Sequence, residues 1–154
     1  MRAVRTVLSV SVGLLFSGVT LPNVSAAEFG TANEARAMLE RAVAAIQENK
    51  EQALGNFNTG AEGYKEKDLY VFCTDEAGTF TAHGANQDLL GENILVMQDQ
   101  NGKRFGGEIY GSAVESEFSQ VDYLWPRPGE SEPAEKATFV TKVDDQVCAV
   151  GYYK

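Results

Sequence analysis

Phe118-Ser-Gln-Val-Asp-Tyr-Leu-Trp125, Lys136-Ala-Thr-Phe-Val-Thr-Lys-Val143 and Val147-Cys-Ala-Val-Gly-Tyr152 are three runs rich in β-branched and aromatic residues. Pro126 to Pro133 separates the first two, and Asp144-Asp-Gln146 separates the last two. Runs of this composition bounded by turn residues read as strands. The polar, proline-bearing loop is long enough to join two antiparallel strands, and the short turn closes a hairpin. Upstream, Leu69 to Thr74 and Thr79 to His83 flank Glu76-Ala-Gly78 and read as a second hairpin.

Before the strands the period changes from two to three and four. Thr31-Ala-Asn-Glu34 has the spacing of a capping box. Behind it Ala35, Met38, Leu39, Ala42, Val43 and Ile46 form one apolar helical face, with Glu34, Arg36, Glu40 and Arg41 turned to solvent. Asn49 interrupts the pattern, and Glu51 to Phe57 continues as a further helical stretch. Between the second and third strands, Asn86 to Gly107 reads as loops and helical turns, with Asp99-Gln-Asn-Gly102 as a turn. Phe105 to Glu117 reads as a helix weakened by Gly106, Gly107 and Gly111. The expected class is α+β: a long N-terminal helix, then a five-stranded antiparallel sheet with a helical and loop insertion between strands two and three.

The first 26 residues have the pattern of a signal peptide. Arg2 and Arg5 precede an apolar stretch from Val7 to about Val19, and Val24-Ser25-Ala26 supplies small residues for cleavage after Ala26 or Ala27. A retained anchor is the alternative, although the stretch is broken by Ser9, Ser11, Ser17 and Gly18 and a span needs about 20 apolar residues. The expectation is residues 1–26 as a signal peptide and residues 27–154 as one periplasmic or secreted domain. The chain carries a formal net charge of −9, which becomes more negative once Arg2 and Arg5 are removed. Such a chain repels nucleic acid and anionic membrane surfaces, and no basic run offsets that. Cys73 and Cys148 are an even pair, read first as a disulfide in an oxidising compartment, with two buried thiols as the alternative.

Catalytic vocabulary is sparse. His83 is the single histidine, and no nucleophile elbow, zinc-protease helix or phosphate-cradling loop occurs. One histidine with two paired cysteines does not make a transition-metal site, and Asp99-Gln-Asn-Gly102 lacks the later acidic ligands of an EF-hand. The expectation is therefore no enzyme activity, metal or cofactor. Binding is better served. Alternation along the strands puts Val121, Tyr123 and Trp125 on one face, Tyr70 and Phe72 on one face, and Lys136, Thr138 and Val140 on one face. If these faces coincide, Tyr123, Trp125 and Lys136 make an aromatic box with one positive charge, suited to a carboxylate.

The order and spacing of several landmarks resemble the single-Cache family of extracytoplasmic sensor domains. Relatives carry Asp-x-x-Gly-Lys in the middle, Tyr-x-Trp-Pro near the third strand, lysine at the start of the fourth, and Gly-x-Tyr at the end. Asp99, Gly102, Lys103, Tyr123, Trp125, Pro126, Lys136, Gly151 and Tyr153 fall on those positions, and His83 follows the second strand. Gln120, Phe139 and Gly84 stand where relatives often carry an aromatic, a tyrosine and a proline. The resemblance implies a PAS-like sheet whose first and last strands are central neighbours, which would set Cys73 beside Cys148. It also implies a pocket for a small organic acid or similar metabolite; the expected ligand residues are Lys136, Tyr123 and His83, with Trp125, Phe72 and Tyr110 as walls. Most relatives are joined to a membrane helix and a signalling part, whereas this chain reads as a free-standing member that could serve a membrane receptor. The rival expectation is a ligand-free module that docks or dimerises through the N-terminal helix.

Overall fold

The computed structural model describes residues 28–154. The expected signal peptide lies outside the described residues.

The first helix, α1 (Ala32–Thr59), begins with the capping box read from the sequence: the Thr31 hydroxyl accepts from the Glu34 backbone N–H, and the Glu34 carboxylate accepts from that of Thr31. Asn49 leaves the helical region (φ −158°, ψ 94°) and re-caps the chain, its side-chain oxygen accepting from the Gln52 N–H. The helix therefore runs as two segments about one kink, where the sequence pattern breaks. Ala35, Met38, Leu39, Ala42, Ile46, Ala53 and Phe57 are all buried. Packing is thus what the apolar stripe does.

The strands are β1 (Lys65–Glu66), β2 (Leu69–Thr74), β3 (Phe80–His83), β4 (Ser119–Pro126), β5 (Pro133–Val143) and β6 (Gln146–Tyr153). They form an antiparallel sheet in the order β1-β2-β6-β5-β4, with β3 also paired to β2. Five match the expected strands. The two-residue β1 is too short for any periodicity to reveal. First and last long strands are central neighbours, and Cys73 lies directly opposite Cys148, to which it is disulfide-bonded.

The sheet has two covered faces. Leu69, Val71, Cys73, Ala82, Val143, Cys148 and Val150 pack against α1. Tyr70, Phe72, Phe80, Val121, Tyr123, Val140 and Ala149 face the other way, under the insertion. That insertion consists of two 3₁₀ turns (Gln87–Leu89 and Ile94–Val96) and helix α2 (Phe105–Ser112). Gly106 lets α2 come close: a Cβ there would meet the Ile94 carbonyl oxygen at 1.7 Å. The expected helix to Glu117 ends early. Ala113 turns extended, and Val114 is drawn to β5, its carbonyl accepting from the Lys142 N–H at 3.2 Å and the Thr141 hydroxyl at 3.1 Å.

Asp99 ties the insertion to the sheet. One carboxylate oxygen accepts from the Asn101 and Lys103 N–H groups, and the other from the Leu124 N–H on β4. Among the described residues no helix is long and apolar enough to cross a membrane.

The disulfide closes a loop with a sequence separation of 75 residues between the two central strands. Replacing both cysteines by alanine should lower stability in urea by about 2–4 kcal/mol with an unchanged far-UV circular dichroism spectrum. A double variant as stable as the parent would show that the bridge adds nothing to an already paired register.

Candidate functional site

The site is built where β2, β6 and β5 lie side by side under the insertion. Lys136 on β5 pairs with Tyr123 on β4 and with Tyr153 on β6, so the three side chains share one face. The next residue on that face of β6 is Gly151, paired with Thr138. A Cβ at Gly151 would lie 2.2 Å from Lys136 Cε and 2.5 Å from Thr138 Oγ1. The missing side chain is the notch through which Lys136 crosses the sheet. Its amine ends on β2, donating to the Tyr70 hydroxyl at 2.7 Å. Nζ lies 4.2 Å from the Tyr70 ring centroid and 5.1 Å from that of Tyr153.

Lys136 is 1% exposed. Among the described residues it has no carboxylate within ion-pair distance, and Tyr70 is its one side-chain hydrogen-bond partner. Burial pushes its pKa from 10.5 down to about 7, with the more distant Asp68 pulling weakly the other way. A lone buried ammonium is costly to keep, because water is lost and no anion replaces it. That is an unusual way to build a core.

A cleft of about 430 Å³ opens beside this group, lined among others by Tyr70, His83, Leu89, Trp125 and Arg127. Lys136 is not itself a wall of this cleft; it sits one hydrogen bond behind, on Tyr70. His83 stacks on Phe72 and approaches Tyr70 and Phe80. Its Nδ1 accepts from the Asn86 N–H at 3.0 Å, which leaves any ring proton on Nε2. Burial, and then the Lys136 charge, push its pKa from 6.5 down to about 3, so it is neutral at working pH.

The other expected residues divide. Trp125 lines the cleft, edge-on to Phe105. Tyr123 lies beneath, stacked on Phe105 at 4.3 Å, with its hydroxyl accepting from Thr138. Phe72 backs His83 and does not reach the cleft. Tyr110 does not belong to the site: α2 carries it to a separate small cleft with Glu76 and Lys142, where its hydroxyl donates to the Glu76 carbonyl. Tyr70, Arg127 and Tyr153 were not singled out as ligand residues. Tyr70 shares a face with Phe72 but sits nearer the Gly151 notch, and Arg127 directly follows Trp125-Pro126. The Tyr153 hydroxyl donates to the Pro126 carbonyl at 2.6 Å and fixes the base of the loop that carries Arg127.

The family model described as single Cache domain 2 matches residues 28–152, and the chain belongs to that family. The methyl-accepting chemotaxis protein McpP of Pseudomonas putida is 28% identical over 75 residues, which are 49% of this chain and 14% of that protein. The chain thus spans a small part of that relative. A methyl-accepting chemotaxis protein from Vibrio parahaemolyticus shares the fold with a TM-score of 0.65 at 23% identity, over 79% of this chain and 86% of that one. So does a Cache chemosensory domain whose structure is described as the basis for carboxylic acid recognition, with a TM-score of 0.59 at 22% identity over 79% and 86%.

Two substitutions test the geometry. Lys136→Met keeps the length and removes the charge, and should raise stability by about 1–4 kcal/mol near pH 6. The gain should shrink between about pH 7 and 10.5, where the unfolded amine still holds a proton that the folded one has released, so that parental stability rises with pH. Urea titrations of both proteins across pH check this, and a pH-independent difference contradicts it. Gly151→Ala should cost about 1–3 kcal/mol through overpacking and displace the amine from Tyr70. A crystal structure of that variant with Lys136 still on Tyr70 would refute the notch.

Proposed function

We propose that this single Cache domain is an extracytoplasmic sensor-type module that binds a small organic acid, its carboxylate meeting the Lys136 ammonium beside Tyr70. The supporting observation is the buried lysine without a carboxylate partner, set directly behind an open aromatic cleft. An incoming carboxylate would supply the charge that the fold withholds, and charge-assisted hydrogen bonds of this kind are the strong ones. Trp125 and Leu89 would wall the apolar part, with neutral His83 offering Nε2–H as a polar contact. The carboxylic acid recognition stated for the structural neighbour agrees with this chemistry. Export to the periplasm or beyond rests on the signal-peptide pattern of residues 1–26. Within this reading the domain presents its ligand-bound state to a membrane receptor.

The pH dependence follows from Lys136 alone. Below about pH 7 the free site already holds its proton, so affinity for a carboxylate is flat down to the ligand's own pKa. Above it the amine must take up a proton as the anion binds, and affinity falls by up to tenfold per pH unit.

A thermal-shift screen with acetate, propionate, lactate, succinate, amines and purines tests the reading. An acid at a hundred times its dissociation constant adds about 2.7 kcal/mol to stability. Carboxylates should raise the melting temperature, less at pH 9 than at pH 6.5, and the shift should vanish in Lys136→Ala. Stabilisation by amines or purines alone, or a carboxylate shift untouched in Lys136→Ala, would overturn it.

A further inference from the structure

The cleft is large for a very small acid, and a cation other than the lysine behind it lines its wall. Water takes about 30 Å³ of liquid volume, and an acid of three or four heavy atoms roughly two to three times that. Most of the 430 Å³ would stay unfilled. Part of its wall is made by Pro126, Arg127, Pro128 and Gly129 at the end of β4 and in the β4–β5 loop.

Arg127 is held as a platform. Its guanidinium lies between the rings of Phe29 and Tyr153, with Cζ 4.7 Å and 4.8 Å from their centroids. Asp68 forms an ion pair with its Nε at 3.6 Å, too long for a hydrogen bond, while the other Asp68 oxygen accepts from the Gly30 N–H at 2.6 Å. Arg127 Nε and Asp68 Oδ2 are both buried without a hydrogen-bond partner. Among the described residues neither Nη atom donates to the protein. Stacking and Asp68 thus fix the plane of the fork, and its donor edge remains for something else. Lys136 and Arg127 flank the same Tyr153 ring, at 5.1 Å and 4.8 Å.

We propose that Arg127 is a second anion anchor and that the site selects a short dicarboxylate, one carboxylate at Lys136 and Tyr70 and the other in the Arg127 fork. This deepens the proposed function and rests on it. A planar guanidinium accepts a carboxylate through two parallel hydrogen bonds, which a lone ammonium cannot match in geometry. The apolar side chains Trp125 and Leu89, which line the same cleft as Arg127, suit a methylene chain. Glu130 also lines the cleft and opposes a dianion, but it is exposed at the loop tip, where solvent and salt screen it.

The test is calorimetric titration of the purified protein at pH 6.5 with chain-matched pairs: butyrate against succinate, and valerate against glutarate. The diacid should bind at least tenfold more tightly than its monoacid. Arg127→Gln should bring that ratio close to one, Arg127→Lys should keep part of it, and Glu130→Gln should increase it. Equal binding of the pair by the parent protein, or a ratio that survives in Arg127→Gln, overturns the second anchor while leaving carboxylate binding intact. Failure of every acid to bind removes the proposed function and this inference together.

Discussion

A lysine crosses a glycine to reach a tyrosine on the second strand away, and the site depends on that passage. Lys136, Gly151 and Tyr70 stand on β5, β6 and β2, which are consecutive in the sheet. The amine reaches Tyr70 only because the middle strand offers no Cβ at that place. A hydroxyl and two aromatic faces partly replace the water it loses, and the more distant Asp68 favours its charge. The same confinement lowers its pKa and leaves it short of an anion. Under the proposed function, stability and binding pull in opposite directions at this residue.

The rest of the fold keeps that passage in register. A slip of one residue between β2 and β6 would move Tyr70 to the α1 face and bring Leu69 or Val71 into its place. The disulfide pins the register between Cys73 and Cys148 on the opposite face of the same two strands. On β5, the long antiparallel pairing to β4 and β6 fixes Lys136 between Tyr123 and Tyr153. Asp99 ties the insertion to β4, and Gly106 lets α2 pack against the Ile94 turn within it, so this face is roofed without α1 taking part. The landmarks Asp99 and Lys103 are thereby structural: Lys103 pairs with Glu108 and donates to the Asp122 carbonyl, away from the cleft.

Much of the architecture could be read from residues, because both signals were strong. The 3.6-residue stripe of α1, its break at Asn49 and the alternating strands each match an element. Short pieces were not legible: β1 has two residues, and Phe105–Ser112 ends early because Val114 finds a partner on β5 that no local pattern encodes. Of the expected site, Lys136, Trp125 and His83 lie at or directly behind the cleft. Tyr110 lies elsewhere because a single helical residue gives no hint of which sheet edge its helix covers. Arg127 was passed over because loop cations are ordinarily solvated, and only the tertiary fold reveals the two rings that hold it. The protonation of His83 could not be read from sequence, since burial decides it.

The measurement that reaches the central claim most directly is the titration of the Lys136 side chain itself, followed by the Cε and Nζ chemical shifts in NMR. The account predicts an amine that titrates near pH 7 in the free protein and well above that value once a carboxylate is bound. A Lys136 that titrates near 10.5 in the free protein, or whose titration ignores every carboxylate, would contradict it.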